Sequence, residues 1–182
     1  MGTVQGAERR RRRQRDRPAG GIQSVAVNRA EWDYYKAAME SENGILAIKL
    51  GGAGDMTATA VRWRYQRGIP QLPSPLLYGH SLYMVNDAGG LVTILNPETG
   101  ALIQQGRLKV PSDRYYASPV AGDGKIYISS ENGKVLVLPQ DGGLDALAVN
   151  DLEDNIYATP ALSDKRIYVR TLHSLYCFGL PQ

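Results

Sequence analysis

The stretch Ala117-Ser118-Pro119-Val120-Ala121-Gly122-Asp123-Gly124-Lys125-Ile126-Tyr127 has two counterparts in the chain. They are Pro73-Ser74-Pro75-Leu76-Leu77-Tyr78-Gly79-His80-Ser81-Leu82-Tyr83 and Ala158-Thr159-Pro160-Ala161-Leu162-Ser163-Asp164-Lys165-Arg166-Ile167-Tyr168. Pro75, Pro119 and Pro160 are 44 and 41 residues apart, and Tyr83, Tyr127 and Tyr168 keep the same intervals. Each copy runs on through a turn into a second apolar run: Leu91–Leu95, Val135–Leu138 and Leu175–Phe178. Two markers holding one register define an internal repeat.

Working outward, residues from Asn43 onward alternate short β-branched or aromatic runs with Gly51-Gly52, Gly89-Gly90, Asp123-Gly124, Asn132-Gly133 and Asp141-Gly142. Such pairs supply the positive φ of tight hairpins, so the chain reads as antiparallel meander. Short strands with a period near 40–45 predict an all-β chain of β-propeller blades, four antiparallel strands to a blade. Helical repeats of similar length require a helical periodicity that does not return here.

The residues also carry a family resemblance. Ser/Thr-Pro, Asp123-Gly124-Lys125-Ile126-Tyr127, Asn132-Gly133-Lys134-Val135-Leu136-Val137-Leu138 and Leu95-Asn96-Pro97-Glu98-Thr99-Gly100 resemble the PQQ-like, quinoprotein-type repeat. Asn43–Ile48, Gly54-Asp55, Trp63 and Pro73–Leu76 are similar to a bacterial, PQQ-binding-like branch of it. The resemblance covers about residues 43–179. It implies a propeller of seven or eight blades, PQQ as the family cofactor, and a periplasmic or extracellular setting.

Residues 43–182 then divide into a partial blade (about 44–65), two full blades (73–108 and 116–149) and a three-stranded one (157–179). That is about three and a quarter blades, short of closure. The expectation is the C-terminal part of a larger propeller, with missing blades or a protein partner covering its ends.

Ahead of the repeat lie two other segments. Residues 1–21 are an Arg-rich tail with too few apolar residues to order. Residues 22–42 read as a linker and a short amphipathic helix, capped by Asn28 with Glu31 and striped by Trp32, Tyr35 and Met39. The formal charge of +3 belongs to the tail, where seven arginines face Glu8 and Asp16; the other 165 residues hold 14 basic and 16 acidic side chains. Nucleic acid is therefore not an expected partner: the tail has no interleaved aromatics and no groove-entering fold. No apolar run is long enough to span a membrane, and no signal peptide follows the arginines.

Candidate chemistry is sparse. Cys177 is the only cysteine, which excludes the vicinal pair typical of the dehydrogenases the resemblance brings to mind. Gly51-Gly52-Ala53-Gly54-Asp55 precedes a β-patterned run, so it is a strand connection and no phosphate cradle. His80 reads as a solvent-facing turn residue, His173 as a turn histidine and Cys177 as a core residue. Arg114-Tyr115-Tyr116-Ala117-Ser118 and Asn155-Ile156-Tyr157-Ala158-Thr159 place Tyr116 and Tyr157 at equivalent positions. The resemblance sets these positions near the mouth of the central channel. Tyr116, Ser118, Tyr157 and Thr159, with Arg114 and Arg170 as anion partners, are the candidate ligand-binding residues. No cofactor is expected on this chain, and PQQ enters by resemblance alone. The predicted function is a non-catalytic protein-binding or scaffold module; the alternative is a piece of a quinoprotein dehydrogenase or other propeller enzyme whose catalytic residues lie upstream.

Overall fold

The computed structural model describes residues 44–110 and 113–179. The sequence-predicted helix and Arg-rich tail lie outside them. Thirteen strands form four antiparallel sheets, taken here as the first to fourth blades. The first holds β1 (Ile45–Ile48) and β2 (Val61–Tyr65). The second holds β3 (Leu76–Tyr78), β4 (Ser81–Val85), β5 (Leu91–Leu95) and β6 (Leu102–Arg107), each paired with the next. The third repeats this with β7 (Val120–Gly122), β8 (Lys125–Ser129), β9 (Lys134–Pro139) and β10 (Ala148–Asp151). The fourth has β11 (Ala161–Ser163), β12 (Arg166–Arg170) and β13 (Leu175–Gly179). The chain is all-β propeller repeat, as its period predicts.

The repeated tyrosines occupy one register. Tyr83 lies between Leu76 and Ile94, Tyr127 between Val120 and Val137, and Tyr168 between Ala161 and Cys177. Strand side chains alternate between faces, so the central strands of a blade stacked on both sides must be apolar throughout. Met84, Val85 and Val92 to Leu95 are all buried, Thr93 included. Tyr83, Val85, Val92 and Ile94 face Ile126, Ile128, Leu136 and Leu138 across the junction of the second and third blades, and Leu108 and Tyr115 complete this cluster. The junction of the third and fourth blades is thinner, with Val135, Ile156 and Val169 as its buried members.

Polar bonds repeat across the junctions as well. The amide of Ser74 donates to Ser118 Oγ at 2.9 Å, and the amide of Ser118 donates to Thr159 Oγ1 at 3.0 Å. Tyr83 donates its hydroxyl proton to Gln140 O at 2.7 Å, in the next blade. Trp63 covers the first junction, its Nε1–H donating to Pro97 O at 2.9 Å.

One buried hydroxyl is an exception. Tyr115 is fully buried and its hydroxyl has no partner among the described residues. Burial first, and the charge of Asp113 second, push its phenol up to about 12. An unfolded tyrosine loses its proton near 10, so the neutral buried form contributes fully below pH 10 and that contribution fades as pH climbs towards 12. Tyr115→Phe removes the unpaired hydroxyl and is expected to stabilise the fold by about 1 kcal/mol. It should also flatten the alkaline decline; urea midpoints at pH 8 and pH 11.5 measure both effects.

Cys177 departs from expectation. It is exposed on β13 rather than in the core. It shares a face with Tyr168, its cross-strand partner, on the side of the fourth blade turned away from the third. In the inner blades the same position is Ile94 or Val137, each covered by a following blade.

Candidate functional site

Two kinds of loop meet at the ends of the inner strands: those leading into β7 and β11, and the hairpin turns between the second and third strands of each blade. Backbone bonds join them in a repeating pattern. Tyr115 N donates to Asp87 O and Ile156 N to Glu131 O; Glu131 N donates to Arg114 O and Leu172 N to Asn155 O. A carboxylate from the incoming loop clamps the β8–β9 and β12–β13 turns. Asp113 accepts from the amide and side chain of Asn132. Asp154 accepts from the amide of His173 at 2.9 Å and lies 3.0 Å from its Nδ1. The surface is therefore fixed before any ligand arrives.

On this frame Tyr116 and Tyr157 come together, with ring centroids 5.6 Å apart and planes tilted by 40°. Arg114 Nη1 donates to Tyr116 Oη at 3.3 Å, and the Tyr157 hydroxyl donates to Glu131 Oε1 at 3.2 Å. Asn155 Nδ2 reaches the same hydroxyl at 3.4 Å. The bond to Tyr116, then the charges of Tyr116 and Glu131, hold the Arg114 guanidinium above its ordinary value. A cavity of about 360 Å³ opens beside it, lined by Ala88, Gly89, Asp113, Arg114, Glu131 and Asn132. The result is an aromatic pair flanked by one cation and one carboxylate, built from two adjacent blades.

Of the sequence candidates, Arg114, Tyr116 and Tyr157 form this band. The hydroxyls of Ser118 and Thr159 are engaged by amides of the preceding blade and hold the strands beneath it. Arg170 ends β12 opposite Leu175 and makes no described contact with the others. Glu131 and Asn155 are additional members that sequence reasoning missed. Neither residue type recurs in the other repeats: Asp87 and Leu172 stand where Glu131 does, and Arg114 stands where Asn155 does, so the repeat did not mark them.

The Asp154 carboxyl is drawn down to about 2, by hydrogen bonding from Thr171 first and from the His173 amide next. A depressed carboxyl stabilises the fold above its ordinary value of 3.8, and that stabilisation is lost as pH falls from there towards 2. Asp154→Asn should remove this part of the acid sensitivity. Faster exchange of the His173 amide at neutral pH would accompany it.

A family model described as outer membrane protein assembly factor BamB matches residues 33–180. The chain belongs to this PQQ-repeat family. BamB from Moraxella catarrhalis superposes with a TM-score of 0.54 at 23% identity, over 65% of this chain and 36% of that one. The chain thus spans little more than a third of that BamB, and the likeness speaks for the fold. The computationally designed Ika8 protein gives a TM-score of 0.47 at 10% identity, over 58% of this chain and 32% of that one. Quinohemoprotein alcohol dehydrogenase from Comamonas testosteroni gives 0.45 at 14%, over 56% and 17%. No curated protein sequence matches the chain.

The cofactor in the family's name can be tested against the residues. PQQ is a flat quinone bearing three carboxylates, and its slot needs surrounding cations. The cavity beside Arg114 instead sets Asp113 and Glu131 against that one arginine. Among the described residues no group of three His, Cys, Asp or Glu side chains could hold a metal ion beside it. The residues lining this cavity do not fit PQQ. No helix among the described residues is long and apolar enough to cross a membrane.

Proposed function

We propose that this chain is a non-catalytic binding module of a PQQ-like propeller, taking an extended segment of a partner protein across Arg114, Tyr116, Glu131 and Tyr157. The observation that carries the reading is the Tyr116–Tyr157 pair, partly exposed yet held from both sides by Arg114 and Glu131. Such a pair offers a large contact area with few rotatable bonds and therefore orders at little entropic cost. Side chains on one face of an extended peptide recur about every 6.8 Å, close to the ring spacing here. The family description, outer membrane protein assembly factor, favours a partner among bacterial envelope proteins and a periplasmic setting.

An array of 12-residue peptides tiled from outer membrane proteins tests this. Wild-type chain should bind a subset rich in alternating apolar residues. Tyr116→Ala combined with Tyr157→Ala should fold and lose at least about thirtyfold in affinity, since even one aromatic anchor contributes about 2 kcal/mol or more. Equal binding by the double variant, or PQQ-dependent dye reduction by the chain, would overturn the proposal.

A further inference from the structure

The cavity beside the aromatic pair sets opposite charges on its walls without pairing them. Arg114 and Glu131 line the same recess of about 360 Å³. Their backbones are joined, Glu131 N donating to Arg114 O at 2.8 Å. Among the described residues, however, no ion pair joins the two side chains. Arg114 donates to the Tyr116 hydroxyl at 3.3 Å, and Glu131 Oε1 accepts from the Tyr157 hydroxyl at 3.2 Å. Each keeps capacity to spare: N–H donors on the guanidinium, and Oε2 on the carboxylate. Asp113, on the same wall, is spent within the fold. Its oxygens accept from the amides of Arg114 and Asn132 and from Asn132 Nδ2.

The fold does not demand the Arg114 and Glu131 pair. At the next junction the same backbone bond runs from Leu172 N to Asn155 O at 2.8 Å, between a leucine and a neutral amide. The clamping carboxylate recurs there as Asp154, because it holds a turn. The two unpaired charges do not recur, so holding the turn is not their role.

We infer that this recess is a specificity pocket for a side-chain carboxamide, glutamine or asparagine, on the partner segment; the inference rests on the reading of the aromatic pair as a peptide-docking site. The carboxamide oxygen accepts from Arg114 and its NH₂ group donates to Glu131. A carboxylate would satisfy Arg114 but face Glu131 and Asp113. An ammonium would satisfy Glu131 but face Arg114. An aliphatic side chain would desolvate both charged groups and pair with neither, and a polar pocket rejects such a ligand strongly.

Fluorescence anisotropy with the full chain tests this. The probe is acetyl-Ser-Val-Ser-Leu-Ser-Gln-Ser-Leu-Ser-Val-Ser with a C-terminal fluorescein, beside versions carrying Glu, Lys or Leu in place of the glutamine. In an extended chain the varied side chain and its two leucine neighbours share one face. The Gln peptide should bind tightest and the Leu peptide about tenfold more weakly, the worth of one hydrogen bond to a charged group. Glu131→Gln should shift the preference towards the Glu peptide, and Arg114→Gln towards the Lys peptide. A purely structural role for either residue would weaken all four peptides alike. Equal affinity for the four, or an unchanged order in both variants, would overturn the inference and leave docking on the aromatic pair standing. Binding of none would overturn both.

Discussion

Gly133→Ala is expected to detach the fourth blade while leaving the second and third intact. Gly133 is buried at φ 84°, in the turn before β9. An added methyl would sit 2.6 Å from the carbonyl oxygen of Asp154 and 3.0 Å from its amide nitrogen. Both are backbone atoms, which cannot swing aside as the tip of a side chain can. Gly133 O accepts from Leu152 N, so the same residue also ties down the segment leading into the fourth blade. The left-handed backbone costs an alanine about 1 kcal/mol, and displacing Asp154 disturbs its clamp on His173. A total of about 3 kcal/mol or more is expected. Native-state hydrogen exchange should show amides of β12 losing protection while those of β4 and β5 keep it. Uniform loss across all blades would contradict this account.

Trp63→Ala is expected to loosen the first blade from the second by about 2–3 kcal/mol, below the cost in a full core because the ring is only partly buried. The ring lies over Gly100, where an added methyl would come within 2.6 Å of it. Gly100 follows Thr99 in a turn at φ 70°, so one glycine meets both a backbone and a packing requirement. The indole N–H closes the contact on Pro97 O. Trp63→Phe should retain most of the packing and lose about 1 kcal/mol with the bond. Thermal unfolding of the two variants separates packing from hydrogen bonding; equal losses would place the whole effect on the bond.

The fold was legible because its signals are local or periodic. Ser/Thr-Pro, the tyrosine nine residues after Ser74, Ser118 or Thr159, and the Gly-containing turns each act within one hairpin, and their recurrence is visible without any structure. The aromatic pair was legible for the same reason, since Tyr116 and Tyr157 hold one repeat position. Their partners were harder to see. Glu131 reaches Tyr157 across 26 positions, and the two share no hydrophobic period. The fate of the Ser118 and Thr159 hydroxyls also depends on a neighbouring blade, since each accepts a bond from 44 or 41 residues upstream. Cys177 misled because an apolar strand is buried on both faces only when both neighbours are present.

The series of amide-to-hydroxyl bonds from Ser74 to Ser118 to Thr159 has an evolutionary consequence. The two junctions that follow the second blade are head-to-tail: one blade presents a donor and the next an acceptor, and Ser118 supplies both an acceptor and a fresh donor. Any blade ending in this pattern is compatible with any blade beginning with it. Duplicating or deleting one repeat in frame therefore leaves this bond with both its partners at the junctions that remain. Gene copying can lengthen or shorten such a protein in whole units, and recombination between blades can shuffle their outer loops while the inner bonds carry over unchanged.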